Sequence, residues 1–393
     1  MITLSSIEGV YVPSLYEVLY TAEGRIKEFK PKNKNVPLRI RKRFVKDLNS
    51  AYFPLEWLIP YIQIIHDRIT LEIMRGCPNT CRFCQARQQY FPYRKRDIEN
   101  VLNLASSISE RTGYEEISLC GLSVSDYTNI EELLTRLISQ CKDDFVSVSL
   151  PSIKPKTLVG NLSSLIATIK KTGLTFAPEA GAERLRKILA KDFDTDSFFK
   201  AIEQAYASGY QHIKLYFMIG LPGEEEEDLA AILGFAAQVS ELRKKTGRSA
   251  AQINISINPL IPKPHTAFQW FKMEGLNSLR HKQDYLLKNA KNKKLKIRFH
   301  NLNMSFLEGV LSRGDRRLSE VILSVFNKGA RFDAWDDHFI FGRWLEAFKE
   351  TGVDPDFYLQ EKAKEEFLPW DFLDLGVSKD VLLGEYDKVV DIG

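Results

Sequence analysis

Long hydrophobic runs are missing from this 393-residue sequence. No stretch approaches the roughly 20 consecutive apolar residues that a membrane-spanning helix needs, so we expect no membrane association. The N-terminal segment also lacks the basic region and unbroken apolar run of a secretory signal peptide. Cysteine is scarce, and three of the five cysteines are clustered, which is not the pattern of a secreted disulfide framework. These absences predict a cytoplasmic protein in a reducing compartment.

A strong excess of charge of one sign is also missing. Lysine and arginine total 55 against 51 aspartate and glutamate residues, which leaves a net charge of +4. Such a mild excess permits an acidic or nucleic-acid partner but does not require one. The basic, proline-containing stretch at residues 28–47 is therefore interpreted as a solvated linker rather than a nucleic-acid patch.

From residue 69 onward, short runs of β-branched and apolar residues alternate with longer amphipathic stretches. Strand candidates begin near residues 69, 115, 144, 173, 211 and 251, and helix candidates lie near 95–112, 129–141, 155–171, 181–191, 194–208 and 224–245. This alternation predicts repeated βαβ units and a parallel sheet. The pattern alone leaves both a doubly wound sheet and an incomplete barrel open.

The same pattern divides the chain into three regions. Residues 1–68 are an irregular lead-in, and residues 69–270 are the alternating α/β region. After about Trp270 the alternation stops, and residues 271–393 are predicted to be mostly helical, with one strand in the segment LKIRFHN.

The cysteine cluster lies in the segment RGCPNTCRFCQAR, where Cys77, Cys81 and Cys84 have the spacing C-x3-C-x2-C. They follow the first predicted strand, at the end where parallel α/β proteins bind ligands. Buried structural cysteines are one interpretation. Zinc is another, but it would need a fourth ligand, and the nearest histidine, His66, precedes the strand. An iron–sulfur cluster, usually held by four cysteines, would here keep one iron open for a substrate or cofactor. We favour the cluster.

With Phe83 between the last two cysteines, the pattern C-x3-C-x-aromatic-C resembles the signature of the radical S-adenosylmethionine (SAM) superfamily. The resemblance implies a (β/α)6 partial TIM barrel. It also implies that Cys77, Cys81 and Cys84 hold a [4Fe-4S] cluster whose open iron is chelated by SAM. One electron, from a donor such as flavodoxin or ferredoxin, then cleaves SAM to methionine and a 5′-deoxyadenosyl radical. That radical typically takes a hydrogen atom from a substrate, which the sequence does not identify.

The same resemblance assigns SAM contacts to the loop at residues 120–127, which follows the second strand. The superfamily has a Gly-Gly-Glu segment here, and this chain does not. The backbone around Gly121 and the hydroxyls of Ser123 and Ser125 would meet the SAM amino group instead. An ordinary strand-to-helix loop explains the segment equally well. Cys120, in the same loop, is more typical of a small buried apolar residue.

Loops after the later strands complete the expected SAM site. By resemblance, Glu179 binds the ribose hydroxyls and Arg184 pairs with the SAM carboxylate, although a solvated helix face would also explain Arg184. Gly220 and Gly223 would let the backbone approach the adenine. The acidic run at 224–228 is explained locally, because carboxylates in the first turn of a helix complement its dipole.

The sixth loop, NPLIPKPHTAFQW, is rigid because it contains three prolines. Lys263 and His265 could face a substrate there, although a lone histidine is more often structural.

Segments such as GVYVPSLYEV, TFAPEAGAERLR, FLEGVLSRGDRR and GARFDAWDDHF resemble a narrower group, the B12-binding-type radical SAM proteins. In that group a cobalamin domain precedes the segment like GVYVPSLYEV. This chain starts just before that segment and has no D-x-H-x-x-G motif. We therefore expect cobalamin only through a separate domain or a separate cobalamin-binding protein.

Two other functions remain open at this stage. The first is a tRNA-modifying, methylthiotransferase-like radical SAM enzyme, which usually needs a second three-cysteine cluster that Cys120 and Cys141 cannot supply. RNA contact could come from Arg313, Arg316 and Arg317 with their neighbouring aromatic residues. More often, however, such arginines lie on the surface and such aromatic residues belong to the core. The second is a non-catalytic zinc or iron–sulfur binding protein.

Overall fold

The computed structural model describes residues 1–142, 146–149, 173–191 and 193–392. Its strands are β1 Tyr16–Tyr20, β2 Ile26–Pro31, β3 Ile40–Arg41, β4 Ile69–Glu72, β5 Met74–Arg75, β6 Arg94–Lys95, β7 Glu116–Cys120, β8 Ser147–Ser149, β9 Leu174–Glu179, β10 Ile213–Ile219, β11 Ile253–Pro259, β12 Leu295–Phe299 and β13 Leu373–Asp374. Its α-helices are α1 Ile2–Ser5, α2 Gln85–Gln89, α3 Ile98–Thr112, α4 Ile130–Lys142, α5 Glu183–Ile188, α6 Thr195–Ala207, α7 Glu226–Leu242, α8 Leu276–Asn289, α9 Leu302–Arg313, α10 Leu318–Asn327, α11 Phe341–Thr351, α12 Pro355–Leu359 and α13 Lys379–Ile392.

Two parallel sheets carry the α/β region. One has the strand order β4-β7-β8 and the other β12-β11-β10-β9, and every pairing within them is parallel. All six predicted strands are present, and helices lie between β4 and β7, between β7 and β8, between β9 and β10 and between β10 and β11. The predicted helix near 155–171 lies outside the described residues. The fold class, an α/β partial barrel with a mainly helical C-terminal part, is confirmed.

A further parallel strand extends the sheet beyond residue 270. β12 pairs with β11, with Ile297 opposite Ile255. The sequence predicted this strand but placed it after the end of the strand–helix alternation, whereas α8 and β12 form one more such unit. The sequence did not show that this strand joins the sheet, because the strand lies at the sheet edge and carries exposed Lys296 and Arg298. Charged residues on an edge strand discourage pairing with other chains.

The main core lies between the strands and their helices. In β11, Ile253, Ile255 and Ile257 are buried in alternation with partly exposed residues, as expected for a strand with one face on the core. Phe198 of α6 and Phe235 of α7 stack at a centroid distance of 5.2 Å above this face. The sheet and its helices thus form a rigid support for the loops at the carboxyl ends of the strands.

The lead-in is folded against the C-terminal part. β1 and β2 form an antiparallel hairpin, and β3 pairs in parallel with β13. Phe29, Val36 and Ile40 are buried, so the prediction that residues 28–47 are a solvated linker is wrong. The apolar residues spaced among the lysines and arginines carry this packing.

Arginines of the C-terminal part act as internal ties. Arg313 is completely buried and donates hydrogen bonds to backbone carbonyls of the sixth loop, of Tyr358 in α12 and of Gln360 just after α12. Arg313 is therefore not the surface arginine that the sequence favoured, and it is too deeply buried for the RNA contact that the sequence left open. Arg316 donates to the Tyr11 hydroxyl at 2.8 Å, and Arg317 pairs with Asp315 at 2.6 Å. RNA contact by these two arginines stays a prediction.

Among the described residues, no helix is long and apolar enough to cross a membrane.

Candidate functional site

The three clustered cysteines lie on the loop that follows β5. All three are partly exposed, and none forms a disulfide. Gly76, at the start of the loop, has φ +85°, and a Cβ there would lie 2.7 Å from the Tyr90 carbonyl oxygen. Only glycine therefore lets the loop fold this closely over the segment at 90–93.

The side-chain amide of Asn79 donates a hydrogen bond to the first cysteine of the motif. Asn79 Nδ2 donates to Cys77 Sγ at 3.1 Å and to Asp126 Oδ2 at 2.6 Å. The Ser123 hydroxyl donates to the same carboxylate oxygen at 2.5 Å. The cysteine loop and the loop after the second strand are thus joined, as the position of both at strand ends predicted. Sequence reasoning missed Asn79 and Asp126, although Asn79 stands inside the cysteine motif.

The donors on this loop are of the type that holds an iron–sulfur cluster. Three unbridged, partly exposed thiols stand on one short loop, and an N–H group is directed at one sulfur. Thiolates are the ligands of such clusters, and hydrogen bonds to the sulfurs tune them. Across the described ranges, no three His, Cys, Asp or Glu side chains are grouped so that they could hold a metal ion. The assignment of Cys77, Cys81 and Cys84 as ligands stays a prediction.

Arg82, between the second and third cysteines, anchors the loop. Its side chain donates to the carbonyl oxygens of Lys187, at 2.8 Å, and Ile188, at 3.0 Å, at the end of α5. Its Nε also donates to Glu385 Oε2 at 2.8 Å, on the C-terminal helix α13. The cysteine loop, α5 and α13 are therefore held together by one largely buried guanidinium.

Glu179 ends β9 in a strained backbone conformation. Its φ is +68°, which is uncommon for a residue other than glycine and is often found at functional sites. Burial raises the pKa of its carboxyl group, against the opposing effect of Lys191, whose Nζ lies 2.6 Å from Glu179 Oε1. Lys191 also lies 5.7 Å from the ring centroid of Phe83.

Two predicted residues, Glu179 and Phe83, are thus brought together by a lysine that the sequence did not indicate. Lys191 follows α5 without any motif around it, so only the folded chain identifies it.

Arg184 and Gly223 are in direct contact. Arg184 donates to the Gly223 carbonyl oxygen at 2.8 Å and pairs with Asp228 Oδ2 at 2.6 Å. It therefore joins the loops after the fourth and fifth strands. A role toward the SAM carboxylate stays a prediction, and Asp228 is the neighbour with which SAM would share this guanidinium.

Gly220 has φ +77°, and its N–H donates to Glu224 Oε2 at 2.7 Å. Lys282 Nζ lies 2.7 Å from the same oxygen, while burial raises the pKa of Glu224. Glu225 and Asp228 form a capping box at the start of α7, which agrees with a local role for the acidic run. Glu224 differs, because it points into the protein and fixes the glycine loop.

Gly121 has a packing reason to be glycine. A Cβ there would lie 2.4 Å from Met74 Cγ. Ser123 and Ser125 are buried in the same loop, whereas Cys120 is exposed rather than buried as expected. SAM contacts by Gly121, Ser123 and Ser125 stay predictions.

The sixth loop also reaches the cysteine loop. Gln85, next to Cys84, donates to the Pro264 carbonyl oxygen at 3.3 Å. Lys263 pairs with Glu308. His265 has φ +56°, and burial lowers its pKa to about 4, so its imidazole is neutral at pH 7. A substrate contact by either residue stays a prediction.

Residues 71–236 match the family profile described as Radical SAM superfamily. This span contains the cysteine loop, Glu179, Arg184 and both glycines of the fifth loop. Residues 71–236 belong to the radical SAM superfamily. The superfamily prediction made from the cysteine spacing is therefore confirmed.

Proteins of other organisms are similar to this chain over part of their own length. An uncharacterized protein of Methanocaldococcus jannaschii is 34% identical over 284 residues, which cover 72% of this chain and 60% of that protein. The tRNA-2-methylthio-N(6)-dimethylallyladenosine synthase of Treponema pallidum is 28% identical over 43% of this chain and 40% of that enzyme. This chain thus spans less than two thirds of either relative.

Among solved structures, coproporphyrinogen III oxidase from Escherichia coli, a radical SAM enzyme, aligns with a TM-score of 0.40 at 14% identity. The alignment covers 56% of this chain and 50% of that chain.

Proposed function

We propose that this chain is a radical SAM enzyme that binds a [4Fe-4S] cluster through Cys77, Cys81 and Cys84. The observation that carries the proposal is the loop of three unbridged thiols that follows β4 and β5, inside the span that matches the superfamily. When bound and reduced, the cluster would supply one electron to SAM, which splits into methionine and a 5′-deoxyadenosyl radical. The substrate of that radical is not identified by these residues.

The chain's own residues would position the cluster and control its surroundings. Asn79 donates to Cys77 Sγ, and such a hydrogen bond to a ligating atom would orient that sulfur toward the cluster. Arg82 fixes the loop against α5 and α13. This anchoring would keep the three cysteine sulfurs at constant positions relative to one another. Gly76 allows the segment at 90–93 to cover the loop from one side.

SAM would lie across the carboxyl ends of the strands. Glu179 would accept hydrogen bonds from the ribose hydroxyls, and Lys191 would oppose the effect of burial on the pKa of that carboxyl group. The Ser123 and Ser125 loop would meet the amino group. Gly220 and Gly223 would let the backbone approach the adenine, and their left-handed φ values of +77° and +66° favour residues without a Cβ.

The proposal is tested by measuring 5′-deoxyadenosine and methionine after anaerobic reconstitution with iron and sulfide and addition of dithionite and SAM. Both products are expected from the native chain and neither from Cys81→Ala. Cys120→Ser is the matched control, because Cys120 is exposed and lies outside the motif. No cleavage by the iron-loaded native chain would overturn the proposal, and so would equal cleavage by Cys81→Ala.

RNA modification is the second candidate, favoured by the similarity of 184 residues to the Treponema tRNA enzyme. If it is correct, bulk tRNA should raise the rate of 5′-deoxyadenosine formation, or its own modification should be detected by mass spectrometry of nucleosides. No change in either quantity would remove this candidate.

An electron donor such as flavodoxin or ferredoxin, and cobalamin through a separate partner, stay predictions.

A further inference from the structure

The inner face of the four-stranded sheet β12-β11-β10-β9 is polar, although its outer face is apolar. Side chains alternate between the two faces of a strand. In β11, three isoleucines are buried under the helices on the outer face, and Asn254, Ser256 and Asn258 alternate with them on the inner face. The interior of a closed (β/α)8 barrel is usually packed with bulky branched side chains. The inner face of this sheet is therefore built differently from a packed barrel core.

The strand register places a lysine on either side of Asn254. Lys214 of β10 is opposite Asn254 in the parallel ladder, and Asn254 is opposite Lys296 of β12. Residues paired in this way point to the same face, and neighbouring strands lie about 4.8 Å apart. Both lysine side chains are long enough to reach a group that lies over Asn254. This row therefore presents two ammonium groups and one amide to the same volume.

The next row toward the carboxyl ends contains Tyr216, Ser256 and Arg298. Glu179, the expected ribose contact, alternates with the buried residues of β9 and is opposite Phe217, which follows Tyr216. One residue of a strand corresponds to about 3.3 Å. The row with Arg298 thus lies just below the level of Glu179, and the inner face is continuous with the expected SAM site.

The charge of this face is positive. The four strands carry three cations, Lys214, Lys296 and Arg298, and one carboxylate, Glu179. That carboxylate is already paired with Lys191 at 2.6 Å. Lys214 Nζ donates to the Tyr216 hydroxyl at 2.6 Å, and a neutral hydroxyl does not balance its charge. Within the described part of the chain, Lys296 and Arg298 form no ion pair.

The polar groups of this face are also accessible. Lys296 and Arg298 are exposed, and the three polar residues of β11 are partly exposed. Among the described residues, Asn254, Ser256 and Asn258 have no side-chain hydrogen-bond partner, and their polar atoms are not closed to solvent. A ligand on this face would therefore meet donors that it can reach and that no other side chain occupies.

We propose that this face binds the carboxylate or phosphate group of a small organic substrate. The Arg298 guanidinium suits such a group because it can donate two parallel hydrogen bonds, and the two lysines add charge beside it. A surface lined by one sign of charge also raises the local concentration of an oppositely charged substrate. This substrate role rests on the proposed function, because the radical would form at the level of Glu179, next to the bound anion.

Binding can be tested on the intact chain without iron. Ligand-observed NMR titrations would compare three anions with neutral counterparts: phenyl phosphate with phenol, glucose 6-phosphate with glucose, and 3-phenylpropionate with 3-phenylpropionamide. At least one anion should bind tenfold or more tightly than its counterpart, a ratio that corresponds to about 1.4 kcal/mol. The pair that shows the preference identifies the group as phosphate or carboxylate.

The double variant Lys296→Gln, Arg298→Gln should abolish this preference. Its matched control is Lys291→Gln, Lys293→Gln, which removes the same charge from exposed lysines in the turn before β12 and should leave the preference unchanged. The proposal is overturned if no anion binds more tightly than its counterpart, if both double variants have the same effect, or if bulk tRNA binds and no small anion does.

The outcome is separable from that of the SAM-cleavage assay. A native chain that prefers anions but does not cleave SAM would contradict the proposed function and leave the anion site standing. A native chain that cleaves SAM and shows no preference for any anion would contradict the anion site alone.

Discussion

At the scale of single residues, the pair formed by Glu179 and Lys191 controls the charge of the expected SAM site. Burial raises the pKa of Glu179, and Lys191 opposes that shift from 2.6 Å away. Lys191→Met should therefore raise the pKa of Glu179 further, so that more of the carboxyl is protonated at pH 7. A protonated carboxyl is a poorer acceptor for the ribose hydroxyls. We expect about tenfold weaker SAM binding at pH 7, with recovery as the pH rises and Glu179 ionises.

Equilibrium binding of SAM to the cluster-loaded protein between pH 6 and 9 measures this effect. Lys187→Met is the control, because Lys187 forms an exposed pair with Glu183 one helical turn away. A loss of SAM affinity in Lys191→Met that is the same at every pH would contradict the assigned role.

The sequence identified the cysteine loop and Glu179 because each stands in a short local motif. It could not identify Lys191 or the contact from Asn79 to Asp126. These contacts depend on how separate strand ends converge, and a lone lysine or asparagine carries no periodic signal. The left-handed φ of Glu179 was equally hidden, since only the folded backbone reveals it.

At the scale of elements, Arg82 couples the cysteine loop to α5 and to α13. Arg82→Gln should release two carbonyls at the end of α5 and the pairing with Glu385. We expect a loss of about 1.5 to 3 kcal/mol in the free energy of unfolding, as for hydrogen bonds to charged groups. The reconstituted cluster should also lose iron faster in air.

Urea denaturation and the decay of cluster absorbance report these two effects. Arg111→Gln is the matched control, because its partner Glu56 is exposed and such surface pairs contribute little. An Arg82→Gln protein with native stability and native cluster lifetime would show that the cysteine loop does not need this tie.

The strands of the α/β region were predictable because apolar, β-branched runs repeat between amphipathic helices. Their partners in space were not, as β12 illustrates. Only one face of β12 packs on the core, and the other carries an exposed lysine and an exposed arginine. The sequence of β12 therefore does not indicate that it pairs with β11. The contact between Arg82 and α13 joins residues 303 positions apart, so no local pattern could indicate it.

At the scale of the whole molecule, Arg313 fastens the C-terminal part to the barrel. It donates to the carbonyl oxygens of Pro262, Gln269, Tyr358 and Gln360 at 2.8 to 3.2 Å. Burial lowers its pKa to about 10, so it is still charged at pH 7. Arg313→Met should leave these carbonyls without donors and cost about 3 kcal/mol or more of stability.

Chemical denaturation of the full chain measures that cost. Arg316→Met, a change at an exposed arginine in the same segment, should cost much less. Equal losses for the two variants would contradict the view that Arg313 is the principal tie. The sequence suggested a surface role for both arginines, because burial of a charged residue is decided by distant backbone rather than by its neighbours in sequence.

Cys77, Cys81 and Cys84 are proposed to hold a cluster with one iron open to SAM. Electron paramagnetic resonance of the anaerobically reconstituted, dithionite-reduced protein, with and without SAM, tests it most directly. A [4Fe-4S]+ signal that shifts when SAM is added is expected. A cluster signal unchanged by SAM, or stoichiometric zinc in place of iron, would contradict it.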